Sequence, residues 1–82
     1  MIIEKNKEYQ HENGCIFKVF SINAKNLDSN DLRNDIILCT LNPNSISNFC
    51  KIIDDNETTE DDLKNIIFPF TPEGFNKSFT EI

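Results

Sequence analysis

Between Cys15 and Ile22 the apolar residues fall into two alternating sets, Cys15, Phe17 and Val19 on one side and Ile16, Phe20 and Ile22 on the other. Such a run predicts a strand covered on both faces. The preceding run, Ile2 to Gln10, is mostly Glu, Lys, Asn and Gln, which suits a protected edge strand. Glu12-Asn13-Gly14-Cys15 separates the two, and Asn-Gly supplies the two positive φ values of a type I′ turn. A two-residue loop sets Glu12 opposite Cys15, Gln10 opposite Phe17, Glu8 opposite Val19 and Tyr9 opposite Lys18. Strand two is then central and strand one lies outside it.

Asn23 to Asn34 is polar and reads as a crossover loop, with Asp28, Ser29 and Asn30 available to cap a short turn around Asp31 to Arg33. Ile36 to Leu41 is a compact apolar run, expected as a third strand beside strand two and buried on both faces. Asn42 and Pro43 form a helix start, and Ile46, Phe49, Cys50 and Ile53 follow at i, i+3, i+4 and i+7, one helical face. Thr58 or Thr59 caps a second helix whose acidic first turn complements the helix dipole. Leu63, Ile66 and Ile67 are its expected buried stripe, and Pro69 its stop. Thr71 and Pro72 open a last short helix with Phe75, Phe79 and Ile82 on one side. The fold class is α+β: an N-terminal β-hairpin plus a third strand in a small antiparallel sheet, covered by two to three C-terminal helices, in one domain spanning residues 1–82.

Composition narrows what such a domain does. Eighty-two residues, 38% hydrophobic and 27% charged, fit an ordinary globular chain. Fourteen acidic residues against eight basic give a net charge of −6, so a nucleic-acid strand or an anionic membrane is repelled. A basic protein partner is attracted. No apolar stretch approaches the roughly 20 residues that span a bilayer, and charge enters the N-terminus too early for a signal peptide, so the expected location is a cytoplasm. Twelve Asn, twelve Ile and seven Lys to one Arg resemble the output of an AT-rich coding genome, as in many bacteria, phages and plasmids.

Three cysteines cannot all pair within one chain, which predicts free thiols. Cys39 and Cys50 sit among apolar residues and are expected in the core, whereas Cys15, beside the turn, is expected to be the reactive one. His11 with the three thiols would make a Cys₃His set, but the paired short spacings of structural zinc sites are missing. A Cys15 nucleophile with His11 as base has no visible orienting group or oxyanion donors. Gly14 and Gly74 are isolated, so no phosphate-binding loop can be built. No cofactor is expected.

Two segments stand out as candidates. Asp54 to Asp62 carries six acids in nine residues: Asp54, Asp55, Glu57, Glu60, Asp61 and Asp62. Read as a calcium loop from Asp54, it has Thr59 where the turn needs Gly and Asn65 where a bidentate Glu belongs, so it is better read as a solvated helix connection or a docking patch. Phe68, Phe70, Phe75 and Phe79 hold four of the seven Phe, either as cover for the sheet or with Phe68 and Phe70 as anchors in a partner's pocket. The function expected is therefore a non-enzymatic acidic protein-binding module, such as an inhibitor of the anti-defence or immunity type from a phage or mobile element that occupies a basic surface. The alternative is an accessory subunit that uses the Phe-rich segment as interface. A small metal-binding or thiol enzyme is the third reading.

Overall fold

The structure, a computed structural model, describes residues 2–22, 36–54 and 57–82. The crossover expected over Asn23 to Asn34 lies outside the described residues. Along the chain come β1 (Glu8–His11), β2 (Ile16–Ser21), β3 (Ile37–Leu41), a 3₁₀ turn (Pro43–Ser45), α1 (Ile46–Ile53), α2 (Glu60–Asn65), β4 (Phe68–Phe70), α3 (Pro72–Ser78) and β5 (Phe79–Glu81). The strands form one antiparallel sheet in the order β4-β3-β2-β1-β5, so the class is α+β as the pattern predicts.

Strand two is central, as expected, but the hairpin register is displaced by one residue. Glu8 pairs with Lys18, Tyr9 with Phe17 and Gln10 with Ile16. The cause is the turn. Gly14 takes φ +92, whereas Asn13 does not enter the positive-φ region that a type I′ turn requires of both central residues. The Gly14 N–H donates to the His11 carbonyl at 2.9 Å and the His11 N–H to the Cys15 carbonyl at 2.8 Å. The loop is therefore three residues, Glu12 to Gly14, a turn followed by a left-handed glycine. A one-residue slip exchanges the faces of a strand. Here it moves Tyr9 inward, fully buried, and turns Glu8 and Gln10 outward.

Strand one is also not the edge. β5 lies beyond it, with Gln10 opposite Thr80 and His11 opposite Phe79. The Phe75, Phe79, Ile82 spacing suggests a continuous helix, but α3 stops at Ser78 and Phe79 turns extended at φ −115, ψ 149. Phe79 keeps an inward position as a strand residue, while Ile82 is left exposed. At the other edge, Phe68-Pro69-Phe70 forms β4, where proline is tolerated because an edge strand has a side without ladder bonds.

Burial on both faces, expected for β2 and β3, is found on one. Cys15, Phe17 and Val19 of the hairpin and Ile37, Cys39 and Leu41 of β3 are buried, and Ile16, Phe20, Leu38 and Thr40 are only partly covered. A register irregularity between Val19 and Ser21 places Ser21 opposite Leu38. That extra residue reverses the alternation and brings Ile22 back against the core. The helices add Ile46, Leu63 and Phe75 to the same core.

The helix ends follow their capping residues. Asn42 Oδ1 accepts from the Asn44 N–H at 2.8 Å, and Pro43 opens a 3₁₀ turn that leads into α1. Thr59 and Asp62 form a reciprocal capping box at the start of α2. Thr71 Oγ1 accepts from the Gly74 N–H at 3.1 Å at the start of α3. No helix among the described residues is long and apolar enough to cross a membrane.

Candidate functional site

Phe17, at the middle of the central strand, organises the aromatic residues. Its ring centroid lies 5.2 Å from Phe68, 5.5 Å from Phe79, 6.1 Å from Phe70 and 6.2 Å from Phe49, each edge-to-face. Phe75 stacks on Phe79 at 4.1 Å and meets the Tyr9 ring edge-on at 5.1 Å. The alternation of β4 explains this: Phe68 and Phe70 stand opposite Cys39 and Ile37, both inward residues of β3. The two candidate anchors are thus half-buried with their rings turned toward Phe17, while Pro69 between them is exposed.

The acidic segment connects α1 to α2, which pack against each other. Asp54 ends α1 in a left-handed conformation, φ 45, with its N–H on the Cys50 carbonyl at 3.1 Å. Asp55 lies outside the described residues. Glu57 and Glu60 are exposed, and Glu60 begins α2. Asp61 makes a 3.6 Å ion pair with Lys64, one turn on. Asp62 accepts from the Thr59 N–H at 3.1 Å while its own N–H donates to Thr59 Oγ1 at 3.2 Å. Asp62 therefore holds the helix start together. Asp54, Glu57, Glu60 and Asp61 carry the outward-facing negative charge of the corner.

Sequence reasoning missed the apolar partners of those acids. Among the described residues, the exposed large hydrophobics are Ile2, Ile52, Ile53, Ile66, Ile67 and Ile82. Ile2 and Ile82 lie at the chain ends, and the other four bracket the acidic connection in sequence. Ile53 was expected on the buried stripe of α1, and Ile66 and Ile67 on that of α2. They are 36%, 36% and 52% exposed. Ile46 and Leu63 are the buried residues of α1 and α2, which run only eight and six residues, whereas Ile52 and Ile53 in the last turn of α1 and Ile66 and Ile67 just after α2 stay exposed. Ile66 already has extended backbone, ψ 136, because the chain must straighten into β4. A readable signal existed for Ile52, which falls outside the i, i+3, i+4, i+7 stripe.

The thiols divide differently from expectation. Cys15 is fully buried, not exposed beside its turn, because it points inward like Phe17. Its Sγ accepts from Asn48 Nδ2 at 3.6 Å and lies 3.9 Å from the Ser45 carbonyl. Burial raises its pKa, and the Asn48 contact only partly offsets this. Cys39 is buried, its thiol pushed up to about 12 by loss of solvent. Cys50 is half-exposed and is the most accessible of the three. His11 turns neither to solvent nor to Ile16: its ring meets Phe79 edge-on at 4.9 Å, and its Nδ1 accepts from the Asn13 N–H at 3.1 Å. Among the described residues no three His, Cys, Asp or Glu side chains gather as a metal site. A depression on α3 is lined by Thr71, Glu73, Gly74, Asn76 and Lys77. No known protein-family model matches the chain, and neither a curated protein nor a solved structure matches it significantly.

Proposed function

We propose that this protein is a non-enzymatic acidic binding module that docks a basic partner protein through the α1–α2 corner. The observation that carries the reading is the run of exposed isoleucines on either side, along the chain, of Asp54, Glu57, Glu60 and Asp61, while Phe68, Phe70 and Phe79 pack against Phe17. Single exposed apolar residues are ordinary on any surface. Among the described residues, four of the six fall within 52–67, in a segment of high negative charge, as a contact with an apolar centre and a charged rim requires. The net charge of −6 steers a basic partner toward the molecule, and the isoleucines then lose water on contact. Occupation of a basic groove, as an inhibitor of the anti-defence or immunity type does, is the form of this reading that the charge supports. The competing role, an accessory subunit using the Phe-rich segment, is weakened by the engagement of Phe68 and Phe70 with Phe17.

The test compares two variants of equal net charge. One neutralises Glu57, Glu60 and Asp61 as Gln, Gln and Asn, and the other neutralises Glu12, Glu73 and Glu81 as Gln. Affinity capture from the cell that carries the gene should recover a basic protein with the wild type and the second variant, and lose it with the first. Equal recovery by both variants, or equal loss, removes the corner from the account.

A further inference from the structure

Of the twelve asparagines in the chain, Asn13 alone is followed by glycine. A glycine nitrogen, unshielded by a side chain, is well placed to attack the preceding asparagine carboxamide. In this molecule that dipeptide forms the loop between the two strands on which the core is built. The hydrogen bonds of the loop bear directly on the reaction. The Gly14 N–H, whose nitrogen would be the nucleophile, donates to the His11 carbonyl at 2.9 Å. The Asn13 Oδ1, on the group that would be attacked, accepts from the Cys15 N–H at 2.9 Å. The Asn13 N–H is held by His11 Nδ1 at 3.1 Å, and the His11 ring is in turn braced by Phe79.

We propose that Asn13 is a deamidation site held unreactive by the folded hairpin, so that its modification marks, and then fixes, chains whose β1–β2 hairpin has opened. When the loop opens, the Gly14 nitrogen forms a bond to Asn13 Cγ. The Cγ–Nδ2 bond breaks, and the Gly14 amide proton leaves with the side-chain nitrogen as ammonia. Water then opens the resulting succinimide at one of its two carbonyls, giving aspartate or isoaspartate. Aspartate retains an oxygen for the Cys15 N–H. Isoaspartate lengthens the main chain within a three-residue loop whose closure depends on the His11–Cys15 pair and on Gly14 at φ +92. The register that turns Tyr9 and Phe17 inward cannot then reform.

The experiment incubates the intact protein in buffer and in urea at one pH and temperature, and follows ammonia release and the modified peptide by mass spectrometry. Breaking the loop's hydrogen bonds must precede reaction, so conversion at Asn13 should be roughly tenfold or more slower in the native chain. The isoaspartyl product, isolated from urea and returned to buffer, should melt lower than the unmodified protein, while Asn13→Asp should melt close to it. Equal rates in buffer and urea overturn the protection, and an isoaspartyl chain that refolds to the original melting temperature overturns the fixation.

Discussion

The inner face of the sheet and the α1–α2 corner are both rich in large apolar residues, yet they are used differently. On the sheet, Phe17 is surrounded by Phe49, Phe68, Phe70 and Phe79, and the residues of the central strands that share its face are sealed from water. At the corner, Ile52, Ile53, Ile66 and Ile67 remain exposed beside acids. Apolar periodicity states which side chains share a face. Whether that face is buried depends on the surface opposite: Ile46 and Leu63 are covered, and the isoleucines at the ends of the same helices are not.

The largest effect tests this difference by truncating one large apolar side chain in each region to Ala. Phe17→Ala should cost about 3–5 kcal/mol, since it removes the ring at the centre of the cluster, and urea unfolding would show it as a lower midpoint. Ile52→Ala should change stability by no more than about 0.5 kcal/mol, as exposed substitutions generally do. Comparable losses in the two variants would mean that the corner is core.

The alkaline limb of stability separates the regions next. The Cys39 thiol ordinarily ionises near 9 and is raised to about 12 by burial. The native chain therefore holds this proton more tightly than the unfolded chain. Its contribution is complete below pH 9 and is lost as the pH rises toward about 12. Cys39→Ala should be less stable at neutral pH but show a shallower decline in melting temperature above pH 9. An unchanged slope would place the alkaline loss elsewhere.

A smaller effect is expected at the start of α2. Thr59→Ala breaks the capping box and should cost about 1 kcal/mol, visible as a modest drop in melting temperature, whereas Glu60→Gln, one residue further on, should cost a few tenths through the helix dipole. If both are silent, the cap is not formed in solution. Thiol labelling sharpens the same boundary without loss of fold: in the native protein Cys50 should react first, and Cys15 and Cys39 only as the chain opens. Cys15 labelling as fast as Cys50 would put the hairpin loop in the wrong register.

Much of this architecture was legible along the chain. Asn42, Thr59 and Thr71 cap helices because short polar side chains satisfy the first free N–H groups, a local rule that needs no tertiary information. The centrality of strand two and its pairing with Ile37–Leu41 follow from apolar runs. The edge strands β4 and β5 were not legible. Each is three residues long and exists because Phe68, Phe70 and Phe79 find Phe17 across the sheet, a long-range contact that no local window contains. The hairpin register failed for a finer reason: Asn-Gly permits a two-residue turn, but only a three-residue loop turns Tyr9 inward. There its hydroxyl takes the Glu4 N–H at 2.8 Å. Of the candidate site, the acids were legible from charge alone. The exposure of the isoleucines was not, because it depends on which tertiary surface lies opposite each helix end, and no local window contains that.

If the corner docks a basic partner as proposed, its apolar residues serve contact rather than folding. The most direct measurement takes the double variant Ile52→Ser, Ile67→Ser and records its melting temperature and its capture of the basic partner side by side with the wild type. The expected result is a melting temperature close to that of the wild type with capture reduced at least tenfold, since burying two isoleucines on contact is worth roughly 3 kcal/mol or more. Full capture, or a collapse of the melting temperature, would contradict it.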